Sequence, residues 1–142
     1  MASDRQLLTL TNTDQRFYPL VGPLLANHEV HKQIGGVPWD DDGKTWIILT
    51  DPAHAAAGRR TPVTGVIAYR AAAGMIRAES CWTDNDDHDI RAILVQAVID
   101  AVDPSPVVTT VRADYTDVYT SLGFHETATV GKAFVKLVRS SR

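Results

Sequence analysis

His28 and His31 stand three residues apart, which puts both rings on one face of a helix. A zinc site would need two more ligands, and none is evident nearby in the sequence. As a helix C-terminal pair, the two rings would be favoured by the dipole instead. Asp84, Asp86, Asp87 and Asp89 crowd one short segment and raise the question of a cation loop. That segment fails the calcium-loop pattern, because its sixth position is Asp89 rather than glycine and its twelfth is Val95 rather than glutamate. The plainer expectation is a solvated loop whose carboxylates favour the start of the following helix.

Glu79 lies in an apolar run, residues 75–83, that alternates as a strand. Strict alternation places Glu79 with Arg77 and Cys81, opposite Ile76, Ala78, Ser80 and Trp82. There Glu79 forms an ion pair with Arg77 or Arg70, or serves as a base. Cys81 beside Trp82 reads as a packed core residue, and no Ser/His/Asp or Cys/His nucleophile order stands out. Trp39, in the turn-rich stretch 38–43, lines a cleft or pins its loop. Lys32, Lys44, Arg59 and Arg60 form a small basic rim or a solvated surface, and Arg139 and Arg142 are tail charges.

The elements that must position these residues follow from periodicity. Residues 7–11 form a short strand. Asn12, Thr13 or Asp14 caps a helical region that reaches Ile34, is split by Pro19 and Pro23, and ends at Gly35-Gly36. Runs 46–50, 63–69 and 75–83 read as strands of a meander, with a turn at Ala73-Gly74. Residues 89–102 make the strongest helix, apolar at Ile90, Ile93, Leu94, Ala97, Val98, Ala101 and Val102. A strand follows at 107–111, a short helix at 116–122, and strands at 124–129 and 133–138. Strand, long helix and strand together form a right-handed unit with parallel strands.

The chain has 142 residues, 44% hydrophobic and 22% charged, which suits one soluble domain, 1–142, and argues against disorder. The single cysteine excludes an internal disulfide. With no apolar signal core at the start, the expected location is the cytoplasm. No stretch approaches the apolar length of a membrane span. A net charge of −3 gives no overall attraction to nucleic acid. The oligomeric state is left open.

The element order and the segment Tyr119-Thr120-Ser121-Leu122-Gly123-Phe124 resemble the GNAT family of N-acetyltransferases across nearly the whole chain. The family often ends its last helix with Leu-Tyr-x-x-Leu-Gly-Phe, and here Val118 replaces the leucine. The resemblance implies an α/β (α+β) fold with a mixed, mainly antiparallel sheet flanked by helices. The strand ending at Thr83 and the strand starting at Val107 would part in a V. It implies acyl transfer from acetyl-CoA or another acyl-CoA to an amine, with Tyr119 as general acid and Glu79 as general base. The backbone at Cys81, Trp82 and Thr83 would hold the pantetheine arm, and the helix start at Asp89, Ile90 and Arg91 would face the pyrophosphate. His28, His31 and Trp39 would border the acceptor.

The pyrophosphate loop departs from the family pattern Arg/Gln-x-x-Gly-x-Gly/Ala. Asp86 stands on the Arg/Gln position, Asp89 on the first glycine and Arg91 on the second. At ~4 Å and an effective dielectric near 20, each like-charge pair costs about 4 kcal/mol. Acetyl-CoA is therefore expected to bind weakly, at about 0.1 mM or poorer. A weaker resemblance links Asn27 to Lys32, Glu79 to Trp82, and Arg112 to Phe124 with phage Mom-type proteins that modify adenine in DNA, which implies a nucleobase acceptor. A binding module that kept the fold without the cofactor completes the set of expectations.

Overall fold

The structure is a computed structural model and describes residues 5–56 and 62–140. Its elements run β1 (Gln6–Leu10), α1 (Phe17–Leu25), α2 (His28–Ile34), β2 (Thr45–Thr50), α3 (Pro52–Ala56) and β3 (Val63–Ala72). They continue with β4 (Met75–Thr83), α4 (His88–Val102), β5 (Val107–Arg112), α5 (Thr116–Thr120), β6 (His125–Val130) and β7 (Phe134–Arg139). One seven-stranded sheet has the order β1-β2-β3-β4-β5-β7-β6. Every neighbouring pair is antiparallel except β4–β5.

The β4–β5 pair is the feature that matters for the site. The two strands are parallel and in register only at Ile76–Val107 and Arg77–Val108. One step further, the Thr109 hydroxyl donates to the Ala78 carbonyl at 2.9 Å. Beyond that point the strands separate, giving the expected V.

Two cores flank the sheet. On one face α4 buries Ile90, Leu94, Val95, Val98 and Ile99 against β2 to β5 and β7. Gly65 of β3 admits this helix, since a Cβ there would lie 2.9 Å from Leu94 Cδ1 and 3.1 Å from the Trp82 carbonyl. On the other face Phe17, Val21, Leu24 and Val30 from α1 and α2 cover Trp46, Ile48, Val66 and Ala68.

Several expectations are corrected. The first helical region breaks at Asn27, which accepts from Glu29 N and Val30 N, while Pro19 and Pro23 both lie within α1. None of Asn12, Thr13 and Asp14 caps α1, whose first residue follows Arg16. The loop after β2 contains α3. In β4, Ser80 adopts a left-handed φ of 56°, and the pairing with β3 slips between Ala68–Glu79 and Val66–Trp82. This bulge inserts an extra residue, so Cys81 joins Ala78 on the α4 face and Trp82 joins Glu79 on the α1/α2 face. Strict alternation had placed them the other way. Among the described residues no helix is long and apolar enough to cross a membrane.

Candidate functional site at the parted strands

The V between β4 and β5 is bounded by Glu79, Ser80 and Cys81 on one wall and Thr110, Val111 and Arg112 on the other. Parting two strands strips backbone groups of their ladder partners, and buried groups of that kind need replacements. Gln33, at the end of α2, supplies them. Its Oε1 accepts from the Thr83 N–H at 2.8 Å, and its Nε2 donates to the Thr83 carbonyl at 2.9 Å. Arg91 of α4 completes the arrangement, with Nη2 donating to Gln33 Oε1 at 2.9 Å and to the Cys81 carbonyl at 3.4 Å.

Arg91 is 1% exposed. Its guanidinium carbon lies 3.7 Å from the centre of the Tyr115 ring, within the range of a cation–π contact. Among the described residues its Nε has no hydrogen-bond partner. Tyr115 in turn donates to Asp86 Oδ1 at 2.7 Å. Burial first, and this hydrogen bond second, push the Tyr115 hydroxyl up to about 12. What remains of the cleft is a cavity of about 20 Å³, room for about one water.

The acidic loop is built into the same assembly. Asp87 accepts from Asp89 N at 2.9 Å and Ile90 N at 3.0 Å, so a carboxylate already occupies the first free N–H groups of α4. Asp84 meets His54 Nε2 at 2.8 Å. Asn85 and Asp86 both have left-handed φ, 56° and 51°. Among the described residues no group of three or more His, Cys, Asp or Glu side chains is arranged to hold a metal.

Acyl-CoA does not fit these residues. Its diphosphate would meet Asp87 on the helix N–H groups, and Arg91 fills the approach that a glycine would leave open. Its amide chain would meet Gln33 on the Thr83 backbone.

The other sequence-selected residues are placed as follows. Tyr119 is 1% exposed and packs edge-to-face on Phe124 at 5.3 Å. Its hydroxyl is raised, first by burial and then by Cys81, so it stays protonated. Cys81 is 7% exposed, and burial pushes its thiol up. Glu79 pairs with neither Arg77 nor Arg70; its Oε2 lies 3.5 Å from Lys44 Nζ. Lys44 is 4% exposed and also donates to the Trp39 carbonyl at 2.6 Å, so it is no part of a basic rim. Arg70 bonds Asp41 instead. His31 Nε2 sits 2.6 Å from the Leu25 carbonyl, tying α2 to α1, and His28 is exposed. The Trp39 side chain is 67% exposed. Arg59, Arg60 and Arg142 lie outside the described residues.

At the mouth of the cleft opens a cavity of about 470 Å³, walled by Trp82 and Tyr115 and bordered by Glu29, Lys32, Asp84, Asp86, Arg112 and Asp114. Sequence reading missed Gln33 and Tyr115 as members of this region. One signal was available: Arg91 falls in register with Leu94, Val95 and Val98, inside the apolar stripe of α4.

No family model and no curated protein matches this sequence. Solved structures do match its shape. An acyl-CoA N-acyltransferase from Pseudomonas aeruginosa superposes with a TM-score of 0.71 at 12% identity, over 96% of this chain and 100% of the other. ElaA of Escherichia coli gives 0.68 at 12% identity, over 98% and 100%. The N-acetyltransferase PseH of Campylobacter jejuni gives 0.58 at 13% identity, over 97% and 99%. Likeness of this degree in shape, at so low an identity, is a likeness of fold. The chain has a divergent GNAT fold, with the parting of its central strands occupied by its own Gln33 and Arg91.

Proposed function

We propose that this chain is a binding protein built on the GNAT fold, working without acyl-CoA between β4 and β5. The observation that carries the reading is the pair of side chains, Gln33 and Arg91, seated on the backbone groups of Cys81 and Thr83. Its ligand surface is the cavity of about 470 Å³ at the mouth of the cleft. There four carboxylates (Glu29, Asp84, Asp86, Asp114) face two cations (Lys32, Arg112), with aromatic walls from Trp82 and Tyr115. That balance favours an amine-bearing, cationic small molecule over an anionic one.

Calorimetric titration of the unmodified protein tests this. Acetyl-CoA is expected to bind at about 0.1 mM or more weakly, equivalent to about −5.5 kcal/mol. An aliphatic polyamine is expected to bind more tightly than acetyl-CoA. A sub-micromolar dissociation constant for acetyl-CoA would sink the reading, and the reverse order of the two ligands would overturn the ligand class.

Acyl transfer to an amine or a nucleobase is the second reading. It is favoured by the retained parting of the strands, which keeps Glu79 and Cys81 on one wall of the cleft. In that reading Glu79 is the base, Tyr119 the proton donor, and Gln33 and Arg91 must first vacate the cleft.

A further inference from the structure

The Gln33 carboxamide does more than fill space. A primary amide that accepts from the N–H and donates to the C=O of one strand residue reproduces one residue's worth of β-pairing. Its oxygen also takes a third contact, from Arg91 Nη2 at 2.9 Å. Among the described residues no carboxylate lies within bonding distance of Arg91, and a buried guanidinium without one is costly unless its surroundings compensate. Here the compensation comes from Gln33, the Cys81 carbonyl, the Tyr115 face and the Tyr119 hydroxyl. Removing Gln33 therefore frees the Thr83 backbone and loosens Arg91 together.

The end of α2 also approaches β7. A Cβ on Gly35, the C-cap of α2 at φ 91°, would run into the Phe134 ring of β7. The end of α2 thus bridges from β4 to β7 across the parted strands.

We infer that Gln33 is an internal ligand of β4, a plug held by Arg91 in the hydrogen-bonding position that an incoming secondary-amide chain would take. The inference rests on the reading that the unmodified chain excludes acyl-CoA, and it assigns that exclusion to the plug rather than to the acidic loop alone. Pantetheine separates the two causes. It carries the amide chain without the diphosphate, so Asp84, Asp86, Asp87 and Asp89 exert no charge repulsion on it.

The test compares the unmodified protein, Gln33→Ala, and Gln33→Ala with Arg91→Gly, each titrated with pantetheine and each followed by amide hydrogen exchange at Thr83. The expected results are at least tenfold tighter pantetheine binding by the double variant and at least tenfold faster Thr83 exchange in Gln33→Ala. Equal pantetheine binding by the unmodified protein and the double variant overturns the plug while leaving the acyl-CoA-independent reading intact. Unchanged Thr83 exchange in Gln33→Ala overturns it even where the double variant fails to fold. Tight acetyl-CoA binding by the unmodified protein defeats the functional reading, and that result is distinct from both.

Discussion

Arg91 and Tyr115 set the character of the cleft at the scale of single residues. The aromatic face compensates part of the desolvation of the guanidinium, and the hydroxyl of the same ring reaches out to Asp86. Because the folded protein holds the Tyr115 proton at about 12 against an ordinary value of 10.0, folding favours the protonated form. That contribution is full below the unfolded value and is lost as pH rises through the folded one. Tyr115→Phe is therefore expected to cost about 0.5–3 kcal/mol at neutral pH, the range for a hydrogen bond to a charged or neutral partner. It should also flatten the loss of stability between pH 10 and 12. Urea unfolding of both proteins at pH 8 and at pH 11 checks this. A parallel decline in the two would show that Tyr115 is not responsible.

The elements explain why the acidic loop is tolerated. Asp87 carries its charge to the positive end of α4 and satisfies two of the four N–H groups that any helix start leaves open. The expected cost of Asp87→Ala is about 0.5–2 kcal/mol, the usual loss for an N-cap. Denaturant midpoints measure it, and a change within about 0.3 kcal/mol would mean that Asp87 is dispensable as a cap. In β4 the bulge at Ser80 has the larger consequence. It turns Cys81 into the α4 core while Glu79 stays on the Lys44 side, so the two side chains face opposite sides of the sheet.

The whole molecule is a sheet that nearly separates into β1–β4 and β5–β7, since among the described residues β4 and β5 are in register at two residue pairs alone. α4 prevents the separation, because its buried stripe meets residues of β2, β3, β4, β5 and β7 in one core. Leu94, 0% exposed, sits in the middle of that stripe. Leu94→Ala should cost about 2–5 kcal/mol, as core truncations of this size do. It should leave a single unfolding transition, because both halves lean on the same helix. Far-ultraviolet and near-ultraviolet circular dichroism, followed through one urea titration, would reveal two separate transitions if the halves were independent.

Element type and order were largely legible in the residues themselves. The apolar repeat at 3.6 residues that marked α4 and the runs of β-branched and aromatic residues that marked β2, β3 and β4 are local properties. The hairpin turn at Ala73-Gly74 and the stop at Gly35 were equally local, because they depend on backbone conformations glycine adopts freely. Tyr119 to Phe124 carried enough pattern to indicate the fold. Tertiary structure alone decided the state of the cleft. Gln33 and Thr83 are 50 residues apart, and Gln33 and Arg91 are 58 apart. No local spacing announces such a meeting. The bulge at Ser80 was hidden for a related reason: a strand adds a residue to satisfy its neighbour's register, so its alternation cannot be read from one strand alone.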